Sequence, residues 1–317
     1  MRKLLILLPV LILLTSCAVR YTDEGTGANA PVSVEDIRDK TTTAVYTTTS
    51  APETTITEAI TALIEKTTKR AESAIADGSD NPLGLSTKKR EHSYGVAKDG
   101  KPHHISVSAQ QYFESTGFRA ICYDTKSTEK VLYLTFDCGW ENGCTSKVLD
   151  TLKEKNVPSA FFCTLDHIKS TPDLIKRMID EGHIVGNHSM KHPNFAEISR
   201  ERMIKEIVGC NDYLQENFGY TSEFFRFPEG AYNEVALEAV DSLGMTSVFW
   251  SCAYADWDVN NTKGAQYAFD TVTSRLHPGA IILLHSVSPD NAEALGDIID
   301  WARNNGYVFK SLNDLNI

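Results

Sequence analysis

The segment VLYLTFDCG, residues 131–139, begins a regular alternation of short apolar runs and longer segments with helical periodicity. Near-continuous apolar strands joined by crossover helices predict a parallel sheet covered on both faces, in either an α/β barrel or a doubly wound sheet. No G-x-G-x-x-G or Walker-type loop occurs, which argues against nucleotide binding. The later apolar runs are SAFFCT, HIVGNH, EFFRF, TSVFW and AIILLH.

The first 17 of the 317 residues, MRKLLILLPVLILLTSC, have the pattern of a secretory leader. Two cations precede an apolar run, Leu4 to Leu14, that is too short to span a bilayer. The following Leu-Thr-Ser-Cys resembles the lipobox of bacterial lipoproteins, so we expect Cys17 to be lipidated and to anchor the protein outside the cytoplasm. An ordinary cleaved signal that happens to end near a cysteine is the alternative.

The composition changes three times after the leader. Residues 18–86 are rich in threonine and poor in large apolar side chains, which predicts a flexible linker. Apolar residues at helical spacing between positions 56 and 75 leave room for a marginal amphipathic helix inside it. Residues 87–130 are expected to be an extension packed on a catalytic domain formed by 131–317. A monomer is the default expectation.

The net charge of −11 and the absence of a basic stripe argue against a nucleic-acid partner. Beyond Cys17 the chain has an even number of cysteines and no C-x-x-C pair, which fits either disulfides outside the cell or buried free thiols. These cysteines are Cys122, Cys138, Cys144, Cys163, Cys210 and Cys252.

Polar side chains stand at the ends of several predicted strands. Asp137 ends the first run, His188 the third, Arg226 the fourth and His285 the last, and Asp256 comes just after the fifth. In an α/β barrel the carboxyl ends of the strands form the active-site face, so these residues should converge there.

The segment HSMKH places His188 and His192 four residues apart, which would put both imidazoles on one face of a helical turn. This spacing suits a divalent metal, although solvated surface histidines show it too.

The other strand-end residues each allow a second interpretation. Asp137 is a general base or a helix N-cap. Arg226 is a surface cation or, because it follows an apolar run, a buried guanidinium that needs an acid, for which Asp137 is a candidate. His285 is a site residue or a satisfied core histidine, and Asp256 could hold its imidazole protonated.

The ordered segments TFDCG, HSMKH, RFPEG, DW and LLHSV resemble the five motifs of the polysaccharide deacetylase family (NodB homology, carbohydrate esterase family 4) over residues 131 to 315. The surrounding sequence is similar to the delta-lactam-biosynthetic subgroup, which acts on muramic acid in spore peptidoglycan. The resemblance implies a distorted (β/α) barrel, a divalent metal that is commonly zinc, and hydrolysis of an N-acetyl group from a sugar.

The resemblance also implies roles for the strand-end residues. Asp137 would be the general base and His285 the general acid, with Arg226 paired to the base and Asp256 orienting the acid. The two histidines of HSMKH would be metal ligands. These residue types suit amide hydrolysis, which needs a base for the attacking water and an acid for the departing amine.

Cys138 departs from the family, in which a second aspartate usually completes the metal site. A thiolate is a good zinc ligand, so Cys138 could close a site with two histidines and leave one position for water. A packed thiol without a ligand role is the alternative.

The resemblance assigns Trp257 and Leu284 to a pocket for the acetate methyl group, with core packing as the alternative. Glu229 stands where the muramic-acid enzymes tend to carry an arginine suited to a lactyl carboxylate, and an acid there would repel that group.

The sequence therefore predicts a lipid-anchored peptidoglycan deacetylase that uses zinc, with N-acetylmuramic acid as the leading substrate. N-acetylglucosamine in peptidoglycan and acetylated xylan are alternatives within the same chemistry. A glycan-binding pseudoenzyme without metal is an alternative of another class.

Overall fold

The computed structural model describes residues 81 and 83–315. The predicted leader, the expected lipidation site Cys17 and almost all of the predicted threonine-rich linker, with the helix considered between positions 56 and 75, lie outside the described residues. Within the described part of the chain, no helix is long and apolar enough to cross a membrane.

A parallel sheet of eight strands organises the described residues, in the spatial order β10, β3, β4, β5, β6, β8, β2, with β9 also paired to β3. A parallel bridge between Cys252 and Ile282 connects the chain after β8 to β9, which brings the sheet round into a distorted barrel. The strands are β1 Arg90–Glu91, β2 Ala120–Ile121, β3 Val131–Cys138, β4 Ser159–Cys163, β5 Ile184–Asn187, β6 Phe224–Phe225, β7 Ala231–Tyr232, β8 Thr246–Val248, β9 Ala280–His285 and β10 Val308–Phe309.

Helices cover the outside of this sheet, and side chains cap several of their amino ends. Ser199, Asn233 and Ser288 each accept a hydrogen bond from a backbone N–H in the first turn. The α-helices are α1 His104–Thr116, α2 Cys144–Lys155, α3 Leu165–Ser170, α4 Pro172–Asp180, α5 Arg200–Phe218, α6 Glu234–Ser242, α7 Ala265–Thr273 and α8 Pro289–Asn304; short 3₁₀ turns are Pro228–Gly230 and Leu312–Asp314.

Alternation along β3 divides the apolar residues into two cores. Leu132, Leu134 and Phe136 pack outward beneath the helices. Val131 and Tyr133 belong to the second core, which lies on the other face of the sheet. Because successive side chains of a strand point to opposite faces, the same alternation decides which strand-end residues reach the site.

Residues 87–130 contribute to the sheet itself. β2 pairs in parallel with β8, and β1 pairs antiparallel with β7. From α1, Phe113 is fully buried and stacks on Phe249, with ring centroids 4.6 Å apart. The segment expected to rest on the barrel therefore supplies one of its strands and part of its core.

The cysteines of the described residues are all free thiols, and all except the half-buried Cys144 are buried. Of the two possibilities that the sequence allows, disulfides or buried free thiols, the structure shows buried free thiols.

We expect Phe113→Ala to lower the free energy of unfolding by about 3–5 kcal/mol, because it removes a buried aromatic ring and leaves a cavity. Ile105→Ala, on the exposed side of the same helix, should change it by less than ~0.5 kcal/mol. Urea unfolding of the two variants measures both values. Equal small effects would mean that the extension is not part of the cooperative core.

Candidate active site

A cavity of about 470 Å³ opens at the carboxyl ends of β3 and β9. Six of the residues singled out from the sequence line it, as the barrel topology requires. The lining residues are His92, Ser93, Tyr94, Asp137, His188, His192, Glu229, Gly230, Trp250, Ala253, Tyr254, Trp257, Leu283 and His285.

A buried ion pair fixes the carboxylate of Asp137 at the cavity, with Arg226 behind it. Nη1 of Arg226 donates to Oδ1 of Asp137 at 2.8 Å, and the rest of the guanidinium donates to the carbonyls of Val248 and Phe249. Burial alone would raise the pKa of Asp137, but the charge of Arg226, together with His188, outweighs it and the pKa lies below its ordinary value. Asp137 is therefore an ionised carboxylate with one fixed oxygen.

A carboxylate holds the imidazole of His285 in place. Oδ1 of Asp256 lies 2.7 Å from Nδ1 of His285, while Oδ2 accepts the backbone N–H of the same residue at 2.8 Å. Asn291 donates to Oδ2 of Asp256, and the hydroxyl of Tyr254 donates to Asn291. Burial would lower the pKa of His285, but the carboxylate of Asp256 outweighs it and raises the pKa above its ordinary value. Nε2 is left to act as a proton donor.

The side chains of His188 and His192 lie next to each other, but the backbone between them does not have the predicted helical conformation. The segment after β5 is not helical, because Ser189 and His192 both have left-handed φ angles, of 70° and 54°. The two rings nevertheless lie edge to face with centroids 4.9 Å apart. The prediction of a helical turn was wrong, since a tight loop and not a helix folds the second imidazole back to the first.

The surroundings of His188 fit a divalent metal. Its Nδ1 lies 2.8 Å from the carbonyl of Arg226, so Nδ1 carries the proton and Nε2 keeps its lone pair. Nε2 faces Oδ2 of Asp137 at 3.6 Å. Burial lowers the pKa of His188 to about 4, which keeps the imidazole neutral as a ligand must be. His188 and the adjacent His192 would hold the metal beside this carboxylate.

Cys138 does not line the cavity. It follows Asp137 along β3 and packs in the outer core, where its sulfur lies 3.2 Å from Oγ of Ser286. Successive residues of a strand face opposite sides, so a position that faces the site at 137 faces the helices at 138. The structure therefore corrects the expectation that Cys138 joins the two histidines.

The same alternation corrects the expectation for Leu284. Leu284 is fully buried in the outer core, while Leu283 lines the cavity on the side of His285. Trp257 lines the cavity as expected, is 56% exposed and lies edge-on to His285 with ring centroids 5.8 Å apart. The apolar contacts for an acyl methyl group would come from Leu283 and Trp257.

Three lining residues that were not predicted come from the extension, namely His92, Ser93 and Tyr94. Nε2 of His92 donates to the carbonyl of Trp250 at 2.7 Å, and burial lowers the pKa of His92 to about 4, so the ring is neutral. No motif or spacing in the sequence marks this segment. The backbone N–H of His92 donates to the carbonyl of Gly230 at 2.8 Å. A Cβ at position 230 would come within 2.8 Å of the Trp250 ring and 3.2 Å of the carbonyl oxygen of His92, so the close approach requires glycine.

Comparisons with known proteins agree with this geometry. The sequence profile of the polysaccharide deacetylase family matches residues 124–248. The chain is 46% identical over 194 residues to the peptidoglycan-N-acetylmuramic acid deacetylase PdaA of Bacillus subtilis, covering 61% of this chain and 74% of PdaA. It is 31% identical over 188 residues to the peptidoglycan-N-acetylglucosamine deacetylase PgdA of Listeria monocytogenes, covering 59% of this chain and 39% of PgdA.

The fold is similar to the solved structure of B. subtilis PdaA, a family 4 carbohydrate esterase, with a TM-score of 0.69 and 40% identity over 73% of this chain and 98% of that one. The predicted barrel and the predicted family are thereby confirmed. With this overall similarity and the convergence of the five motifs on one cavity, the chain belongs to the polysaccharide deacetylase family, whose members are hydrolases.

Proposed function

We propose that this protein removes the acetyl group from N-acetylated sugars of peptidoglycan in a metal-dependent reaction, with N-acetylmuramic acid as the leading substrate. The observation that carries the proposal is the pairing, across one cavity, of an ionised carboxylate with a carboxylate-supported imidazole. A base and an acid of unlike proton affinity are what amide hydrolysis needs.

The residues divide the reaction between them. Asp137, fixed by Arg226, accepts a proton as water attacks the acetamide carbonyl carbon. His285, held by Asp256, donates a proton to the nitrogen as the C–N bond breaks, which leaves acetate and a free amine. A divalent metal held by His188 and His192 would polarise the carbonyl and lower the pKa of the water.

The side chain of Glu229 affects which form of the lactyl group the cavity can accept. It lines the cavity with a left-handed φ of 58°, and it makes no hydrogen bond or ion pair with any other described residue. No Lys or Arg lines this cavity, so a free lactyl carboxylate would find no cation there. A lactyl group already joined to its stem peptide is neutral, and its amide N–H could donate to Glu229. We infer that peptide-bearing muramic acid is preferred over the stripped sugar.

The predicted leader completes the proposal. Lipidation of Cys17 would keep the enzyme at the outer face of the cell membrane, with the linker allowing it to reach the wall. Metabolic labelling with a tagged fatty acid tests this part separately. The full-length chain should incorporate the label, and the Cys17→Ala variant should not.

Acetate release from purified peptidoglycan tests the activity directly. We expect release that stops after chelation and returns when zinc is added, with a loss of about 10²-fold or more in His285→Ala. Acetylated xylan should release little. No release from any glycan with metal present would favour the glycan-binding pseudoenzyme.

Asp256→Asn should move the alkaline limb of the pH-rate profile to lower pH. His285 acts in its protonated form, and the carboxylate of Asp256 raises its pKa; without that charge the pKa falls and the acid is lost earlier as pH rises. Asp258→Asn, two residues away and exposed, is the matched control. An unshifted limb in Asp256→Asn would mean that another group sets it.

Glu229→Arg should reverse the preference for peptide-bearing glycan. On peptidoglycan stripped by an amidase we expect kcat/KM to rise roughly tenfold, equivalent to about 1.4 kcal/mol, because a repulsive charge becomes attractive. Glu216→Arg makes the same charge change on the exposed side of α5, away from the cavity. If Glu229→Arg and Glu216→Arg change kcat/KM equally, Glu229 does not discriminate between free and peptide-bearing lactyl groups.

A further inference from the structure

A second group of potential ligands lies outside the cavity. In the described part of the chain, Cys138, Cys163 and His167 are the His, Cys, Asp or Glu residues that gather in a group of three, with donor atoms all within 4.8 Å of one another. All three are buried. Cys138 and Cys163 are register partners on the adjacent strands β3 and β4, and His167 lies in the first turn of α3, which follows β4 directly.

The imidazole of His167 is buried in this core without the hydrogen bonds that a buried polar ring usually makes. The residue is completely buried, and neither ring nitrogen has a hydrogen-bond partner of normal geometry among the described residues, although the backbone of Trp140 lies beside the ring. A buried polar group without a hydrogen-bond partner is costly, so the two unpartnered ring nitrogens make His167 a candidate metal ligand.

A carboxylate next to the group is also incompletely satisfied. Oε1 of Glu141 accepts the backbone N–H of Gly143 at 2.5 Å, while the buried Oε2 has no partner among the described residues. Glu141 follows Trp140 in the sequence, and the backbone of Trp140 lies beside the ring of His167. An incompletely satisfied carboxylate therefore lies near the imidazole, outside the group of three donors that are within 4.8 Å of one another.

We propose that Cys138, Cys163 and His167 bind a structural zinc ion, and that Glu141 moves to supply Oε2 as the fourth ligand. Sulfur and imidazole ligands select zinc over harder cations. Binding releases one proton from each thiol and leaves two thiolates on the metal. With Zn–S bonds of about 2.3 Å, tetrahedral ligand atoms stand about 3.7 Å apart, so the donor atoms of Cys138, Cys163 and His167 need to approach one another by roughly 1 Å at most.

This site would differ from the catalytic one in position and in task. Cys138 faces the outer core, whereas Asp137 faces the cavity. A closed site with four protein ligands leaves no place for substrate, as in structural zinc sites. It would tie the carboxyl ends of β3 and β4 to the start of α3, directly behind the general base. The proposal stands independently of the proposed reaction.

A disulfide between Cys138 and Cys163 is the main competitor, because neighbouring strands bring the two sulfurs together. In that case His167 would remain unpartnered and no metal would bind. Alkylation of the unfolded protein without reductant, followed by mass spectrometry, separates the two states. Finding the two residues linked in the purified protein would overturn the proposal.

Cobalt substitution of the full-length chain tests the ligand set, since thiolate ligands give a near-ultraviolet charge-transfer band whose intensity counts them. We expect a band for two thiolates that is lost in Cys163→Ser and in His167→Phe and kept in Cys122→Ser, which changes a buried thiol outside the group. A one-thiolate band that survives both changes would instead place Cys138 with the catalytic histidines. Absence of a band in the unaltered chain would also overturn the proposal.

The double variant His188→Ala with His192→Ala provides a measurement that leaves the proposed ligands unchanged. It should retain about one zinc per chain, and zinc X-ray absorption should show two sulfur neighbours. Zinc with only nitrogen and oxygen neighbours, or no zinc, would contradict the assignment even if Cys163→Ser and His167→Phe fail to fold.

Discussion

The ion pair between Arg226 and Asp137 is the constraint on which the site depends. Both charges are buried at the end of the barrel, where an unpaired guanidinium or carboxylate would be costly. The pair fixes one oxygen of Asp137 and keeps the group ionised, and the carbonyl of Arg226 sets the tautomer of His188. One residue from the fourth run of the barrel thus determines the state of both the proposed general base, Asp137, and a proposed metal ligand, His188.

Much of this arrangement could be predicted because it follows from periodicity. Apolar runs separated by helical segments define parallel strands, and parallel strands bring their carboxyl ends to one mouth. For this reason the sequence alone predicts that Asp137, Arg226 and His285 lie together. The carboxylate support of His285 followed from the same reasoning, since Asp256 comes just after a neighbouring strand.

The predictions that failed concern the orientation of side chains and of one loop, which a sequence motif does not specify. Cys138 and Leu284 each sit one position from a true cavity residue, and the pleat of the strand sends them to the opposite face. The loop at His192 is left-handed, which no residue type in HSMKH requires. His92 and Tyr94 reach the cavity through pairing of β1 with β7, a long-range contact without a local signal.

The contribution of His92, Ser93 and Tyr94 changes what counts as the catalytic unit. The family profile begins at residue 124, and the regular strand-helix alternation at 131, yet part of the cavity wall is made some thirty residues earlier. A polypeptide that begins at residue 124 or 131 would keep the residues proposed as acid, base and metal ligands. It would lack His92, Ser93 and Tyr94, so one side of the cavity would be open. The shape of the cavity is therefore set jointly by the barrel and by residues 92–94 of the extension that precedes it.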